Sequence, residues 1–257
     1  MYTPQHDTHG RPDARLVPIS SRPRIGTFVK TNAVQVIELL GLTSLDFVVI
    51  DAEHAPFDRA DIDLLVLAGR AAGLPTLVRA ADSSARTIGS ILDAGAGGLL
   101  LPYVESAEQA RELVARTRCL RGERGFSSST RAAGYGALPM AKAVQAVDQT
   151  FLIAQIESAA AVEAAEAIAA VDGIDGLFVG RADLALSFGE VDARSGRVLA
   201  ANQHVLDVAR AAGKAAGMAV GSAAERDEFA ALGANWFLVG SDQSLLRQAA
   251  QAIALAG

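Results

Sequence analysis

Cysteine occurs once in the 257 residues, at Cys119, which excludes an intrachain disulfide framework and a zinc site built from cysteines. Aromatic side chains are only 5% of the chain while glycine occurs 24 times; this favours tight connections and small-residue packing over a β-sandwich. No apolar run approaches the roughly 20 residues of a membrane helix, since the greasiest stretches cover only residues 97–104 and 176–180. Basic charge is also short. With 23 Lys+Arg against 29 Asp+Glu the net charge is −6, which argues against nucleic acid as a partner. Lysine is confined to Lys30, Lys142 and Lys214. What is present, 51% hydrophobic and 20% charged residues, suits an α/β protein with a substantial core, expected in the cytoplasm.

Residues 1–24 hold no continuous apolar segment, so no secretory leader is expected there. Their prolines and arginines, with His6 and His9, read as a disordered arm rather than a metal site. Beyond it, short continuous apolar runs alternate with amphipathic stretches. The predicted strands are 25–29, 47–50, 76–79, 98–101, 152–157, 176–179, 217–220 and 236–239. Continuous rather than alternating runs are the pattern of parallel strands covered on both faces. The predicted helices are 33–40, 59–72, 83–94, 107–118, 159–170, 197–212, 224–232 and 244–256. Gly41, Gly73, Gly95, Gly173, Gly213 and Gly233 stand where left-handed C-caps would end them. Eight of each predict one (β/α)₈ barrel over residues 25–257, with an open doubly wound sheet as the alternative.

In such a barrel functional groups gather where strands end. The second strand runs into Asp51-Ala-Glu53-His54, the third ends in Arg79, the fifth in Gln155-Ile-Glu157, and the sixth leads to Gly180-Arg-Ala-Asp183. Carboxylates on different strands, with no thiolate available, suit a hard divalent cation held by oxygen, such as Mg²⁺ or Mn²⁺. Each residue also has a plainer reading. Asp51 can bond loop amides, Glu157 can meet an Arg or Lys in a salt bridge, Asp183 can cap residues 184–188, and His54 can be a loop histidine. Only their joint placement at several strand ends favours a site.

These residues, with Asp46-Phe-Val-Val-Ile-Asp-Ala-Glu-His-Ala-Pro56, Leu92-Asp93-Ala-Gly95, Leu101-Pro102, Arg124-Gly125, Asp175-Gly-Leu-Phe-Val-Gly180, Ala182-Asp183-Leu184 and Val239-Gly240-Ser-Asp242, resemble the HpcH/HpaI aldolases. That family comprises metal-dependent class II pyruvate aldolases of the phosphoenolpyruvate/pyruvate superfamily. The resemblance implies that Glu157 and Asp183 bind a divalent metal (Mg²⁺, Mn²⁺ or Co²⁺). It implies that His54 acts with metal-bound water in proton transfer, that Arg79 meets the keto-acid oxygen, and that Asp93 pairs with the histidine. Gln155, Gly180 and Ala182 are expected to line the substrate site, and Phe28 to stand at the pocket entrance where the family often has tryptophan. The implied reaction is reversible cleavage of a 4-hydroxy-2-oxo acid to pyruvate and an aldehyde.

Asp93 precedes the fourth strand, at the bottom of its barrel, whereas His54 follows the second strand at the top. The two can pair only between subunits, so the family role of Asp93 requires a homo-oligomer; a hexameric trimer of dimers is one such assembly. Otherwise Asp93 is a helix-terminal residue bonded to nearby loop amides. The resemblance also places the last helix, 244–256, on a neighbouring barrel. The chain departs from the family pattern at Arg181, commonly proline, and in the loop 121–136. Arg181 is expected to reach a substrate carboxylate or face solvent, and Arg124 and Arg131 to meet an acidic substrate tail or lie in a solvated loop. Competing readings are a carbon–carbon lyase acting on a CoA thioester, a citrate-forming condensing enzyme, and a silent metabolite-binding protein. A Schiff-base role would fall to Lys30, the one lysine directly after a strand.

Overall fold

The computed structural model describes residues 22–255, so residues 1–21 of the expected arm and residue 256 of the expected last helix lie outside it. Eight parallel strands close into a barrel in sequence order, and the open-sheet alternative falls away. They are β1 (Arg24–Val29), β2 (Phe47–Asp51), β3 (Thr76–Arg79), β4 (Gly98–Leu101), β5 (Phe151–Ile156), β6 (Gly176–Val179), β7 (Ala215–Val220) and β8 (Trp236–Ser241). Helices α1 (Val34–Gly41), α2 (Arg59–Ala71), α3 (Ala85–Asp93) and α4 (Ala107–Thr117) follow the first four strands. Then come α5 (Met140–Asp148), α6 (Ala159–Glu163), α7 (Ala165–Ala169), α8 (Arg181–Ser187), α9 (Gly196–Ala211), α10 (Ala223–Ala231) and α11 (Asp242–Leu255). None of the described helices is long and apolar enough to cross a membrane.

Strand parity divides the core. Alternate residues of each strand point into the bore, where Phe28, Phe47, Val49, Leu77, Leu100, Phe151, Ile153, Phe178, Ala215, Trp236 and Leu238 form one cluster. The intervening residues pack outward against the helices in a second, larger cluster. Three of the few aromatics, Phe47, Phe151 and Trp236, open strands and point into the bore. Phe47 stacks on Trp236 at 4.1 Å between ring centroids, and Phe178 meets that indole edge-on at 6.0 Å. Each buried ring contributes about 1.5–3 kcal/mol of hydrophobic stabilisation, so the bottom of the bore is a plug and the polar chemistry is left at the top.

The structure changes several expected details. β1 begins at Arg24, and Arg22 is bound at 2.6 Å to Asp46, so the ordered chain starts before the predicted end of the arm. The expected helix 159–170 is two short helices, α6 and α7, because Ala164 leaves helical geometry (φ −93°, ψ 2°). Helix α5 is not among the predicted helices: its apolar side forms a small separate cluster of Ala143 and Val147 with Ala133. Gly73, Gly95, Gly173, Gly213 and Gly233 are left-handed as expected, but Gly41 is the last residue of α1. Its reason is space, since a Cβ there would stand 2.8 Å from the Cβ of Ala72 after α2.

Candidate active site

Inward parity carries polar side chains into the mouth of the bore. On β2 the apolar residues Phe47 and Val49 are followed by Asp51, which is fully buried. Arg79, the inward residue after Leu77 on β3, grips that carboxylate with Nε at 2.9 Å and Nη2 at 2.7 Å. Lys30, directly after β1, places Nζ 2.9 Å from Asp51 Oδ2. Burial pushes the Asp51 carboxyl up, but the hydrogen bonds and charges of Arg79 and Lys30 outweigh it and hold the group below the usual range. Asp51 also accepts the His54 backbone N–H at 3.2 Å, so the loop-amide reading applies alongside the ion pair. The Arg79 guanidinium lies over the Phe28 ring at 4.6 Å, and Phe28 is buried beneath it rather than at an open entrance.

On β5, Gln155 and Glu157 continue the inward face of Phe151 and Ile153. Glu157 is buried and has no Arg or Lys partner among the described residues, where the salt-bridge reading therefore finds no support. It accepts the Tyr103 backbone N–H at 2.8 Å and a hydrogen bond from the Gln155 amide. Tyr103 turns its amide there with a left-handed backbone (φ 55°), uncommon for a residue other than glycine and found most often at functional turns. A Cβ on Gly180 would stand 2.7 Å from Glu157 Oε2 and 3.1 Å from Gln155 Nε2, so only glycine leaves this carboxylate its place. Asp183 sits in the first turn of α8, two residues inside its start, and caps nothing; Gly180 holds the N-cap position. Ala182 is exposed beside it.

Negative charge accumulates in this mouth. Burial raises the Glu157 carboxyl above its ordinary value against its hydrogen bonds, and Glu53 and Asp183 raise it further. Glu53 is raised in the same way, first by burial and then by Asp51 and Asp183, although Arg79 and His54 oppose it. Its Oε2 lies 3.3 Å from Arg79 Nε and 3.9 Å from His54 Nε2, yet completes no hydrogen bond. A divalent cation between Glu157 and Asp183 would relieve this repulsion. Among the described residues no three His, Cys, Asp or Glu side chains are arranged to share an ion. An ion held here would therefore have at most two protein carboxylates, the sparse protein coordination that Mg²⁺ commonly accepts.

A stability test follows from the raised groups. A carboxyl whose folded pKa lies above its unfolded value binds its proton more tightly when folded, so its stabilising contribution is lost as pH rises through the folded pKa. Metal-free protein is expected to lose melting temperature between mild acid and neutrality, and added Mg²⁺ to restore it at neutral pH. Differential scanning calorimetry with EDTA and with Mg²⁺ reads this. The same pH slope in Glu157→Gln as in the parent would remove Glu157 as its source.

Other predicted residues fall elsewhere. Asp93 ends α3, at the strand-start end of the barrel, where Arg124 Nη2 donates to it at 2.7 Å. His54 follows the opposite end of β2 and is exposed. The chain does not bring the two together; Asp93 instead lines a cavity of about 750 Å³ with Asp58, Asp63, Ser90, Arg131 and Tyr135. Neither Arg124 nor Arg131 is solvated or free for a substrate, because Arg131 is held by Asp63 at 2.7 and 2.8 Å. Arg181 likewise donates to Glu225 at 2.7 Å and to the Ala219 carbonyl at 3.0 Å, which ties α8 to α10. Asp46, Asp175 and Asp242 serve the scaffold: they accept backbone N–H groups of Ile25, Leu152 and Lys30, respectively.

Sequence reasoning placed Glu53 at a strand end without giving it a role, left Tyr103 out of the site and did not join Lys30 to Asp51. Glu53 had a signal, its inward parity two residues past Asp51. Tyr103 had none in its own side chain, since it contributes a backbone N–H.

The HpcH/HpaI aldolase/citrate lyase family matches residues 24–249. A hydroxypyruvate/pyruvate aldolase of Chromohalobacter salexigens is 41% identical over 217 residues, 83% of this chain and 85% of that protein. A 5-keto-4-deoxy-D-glucarate aldolase of an Enterobacter species is 37% identical over 219 residues, 84% and 85% of the two chains. The crystal structure of a family protein from Burkholderia cenocepacia superposes with a TM-score of 0.86 at 34% identity, covering 91% of this chain and 95% of that one. Matched along nearly all its described length in both sequence and fold, the chain belongs to the HpcH/HpaI aldolase/citrate lyase family of carbon–carbon lyases.

Proposed function

We propose that the protein cleaves 4-hydroxy-2-oxo acids reversibly to pyruvate and an aldehyde, with a divalent cation held by Glu157 and Asp183. The observation that carries this is the pairing, in one barrel mouth, of the buried Glu157 carboxylate, which meets no cation among the described residues, with an immobilised guanidinium. Bound there, the cation supplies Lewis-acid polarisation of the 2-oxo acid and offsets the charge of the enolate left by cleavage. Arg79, oriented by Asp51 and stacked on Phe28, donates to the keto oxygen as its negative charge develops. Gln155 and Tyr103 hold Glu157 in place, and the Gly180–Asp183 turn leaves room for the substrate. His54 moves the proton of the C4 hydroxyl, a contribution typically worth ~10²–10⁴-fold.

Asp93 would act on the His54 of another subunit, so the working unit is a homo-oligomer with a shared site. The support is geometric: His54 is exposed at one end of the barrel, and Asp93 opens into an outer cavity at the other. The exposed apolar residues of α11, Leu246 and Ile253 among them, suit a helix covered by a second copy.

The test is pyruvate release from short and long 4-hydroxy-2-oxo acids, coupled to lactate dehydrogenase. EDTA is expected to abolish turnover, and Mg²⁺, Mn²⁺ or Co²⁺ to restore it. No release from any of them, with metal shown to be bound, would sink the aldolase reading in favour of a CoA-thioester lyase.

A further inference from the structure

Asp51 carries one negative charge and two cations. Arg79 Nη2 and Lys30 Nζ converge on the same oxygen, Oδ2, at 2.7 and 2.9 Å. A carboxylate already gripped by both arms of a guanidinium needs no second cation to satisfy it. The two cations also differ in what else they do. Arg79 is 8% exposed in its side chain, approaches Glu53 at 3.3 Å and lies flat on Phe28. Lys30 has a side chain 25% exposed, its ammonium stands 5.9 Å from the Phe28 ring centroid, and Asp51 is its one ion-pair partner among the described residues. An ammonium has three donors, so two N–H bonds of Lys30 meet no acceptor among the described residues. Continuing the inward face of Phe28 one step past β1, Lys30 is the outer cation of the mouth.

The rest of the mouth is acidic. Glu53 and Glu157 are each raised first by burial and then in part by Asp183, and Arg79 is committed to the reacting end of the substrate, so the cation left for an anionic tail stands beside β1. Arg181, the cation that follows β6, is fastened to Glu225 and the Ala219 carbonyl and offers no substitute. We infer that Lys30 is a specificity-determining residue that receives a carboxylate at the far end of the substrate chain. It would direct that tail away from Glu53, the carboxylate of the mouth that holds no metal in this reading, and favour diacids over substrates with neutral tails. This rests on the proposed 2-oxo-acid site, with the reacting end held at Arg79 and the metal carboxylates. It also gives the ammonium a binding role in place of a Schiff-base one.

Isothermal titration calorimetry in the presence of Mg²⁺ separates the possibilities with non-cleavable pairs of equal chain length. The pairs are 2-oxoglutarate against 2-oxopentanoate, and 2-oxoadipate against 2-oxohexanoate. The parent protein is expected to bind at least one diacid about tenfold more tightly than its neutral partner, the gain typical of one charge-assisted hydrogen bond. Lys30→Met is expected to bring that ratio close to one, and Lys30→Arg to keep most of it, with melting temperatures confirming that both variants fold. A ratio near one in the parent at both chain lengths would overturn the inference. So would a ratio that survives Lys30→Met, or equal weakening of both members of a pair, which is the mark of a residue that only neutralises Asp51. Failure of the aldolase reading is seen separately, as absent pyruvate release while the calorimetric discrimination stands.

Discussion

Glu157→Gln is expected to lower pyruvate-forming turnover by about a thousandfold or more, because Lewis-acid stabilisation worth several kcal/mol disappears when one of two charged ligands becomes neutral. The amide keeps the side chain's shape and its contacts with Gln155 and Tyr103, so the change acts on charge rather than on packing. Mg²⁺ binding, followed by calorimetry, should weaken in parallel. Metal-free Glu157→Gln should melt no lower than the parent, since burial alone disfavours the native carboxylate. Turnover within tenfold of the parent at saturating Mg²⁺ would show that Glu157 holds no catalytic ion.

The second large effect comes from the residue farthest from the mouth. Asp93→Asn and His54→Asn are each expected to lower turnover by ~10²–10⁴-fold, the usual worth of general acid–base assistance. Unfolding and refolding the two variants together should then restore activity. If each site takes His54 from one chain and Asp93 from another, random assembly leaves about a quarter of sites with both residues intact. Sites contained within one chain would gain nothing, since every chain then lacks one of the pair. Asp93 also pairs with Arg124 at 2.7 Å, so each variant's melting temperature should be recorded. A mixture no more active than its components would sink the shared site.

Much of this architecture was legible before any coordinates. The strands were readable because parallel strands buried on both faces are continuous apolar runs, and Leu99–Leu101 or Ile153–Ile156 admit little else. Site residues were readable by parity. A polar residue that continues the inward face of an apolar strand, as Gln155 continues Phe151 and Ile153, has nowhere to point but the mouth. Helix interiors were less legible where short elements follow one another. Ala164 breaks α6 from α7 without a proline or glycine to announce it, and α5 has only two turns to show a period.

Partnerships were a different matter. Arg124, Arg131 and Arg181 were each expected to meet a substrate carboxylate or lie in solvent, and each is held by a carboxylate of the chain itself, 31, 68 or 44 residues away. The order of residues along the chain carries no such information, because an ion pair between loops depends on where the barrel sets them down. Lys30, Asp51 and Arg79 lie on three successive strands, and the in-order closure of the barrel makes one carboxylate the meeting point of both cations.

The sequence by itself determined the barrel, the ends of its strands, the family and the identity of the carboxylates at the mouth. These follow from local pattern: the period of burial, the glycines after helices, and the residue type that interrupts an apolar run. Only the tertiary structure decided that Glu157 meets no cation among the described residues, that Tyr103 bends its backbone to hold it, and that Arg124 rather than a loop amide holds the Asp93 side chain. Those facts are relations between strands and loops far apart in sequence, set by closure of the sheet and by which charges the folded interior leaves unpaired.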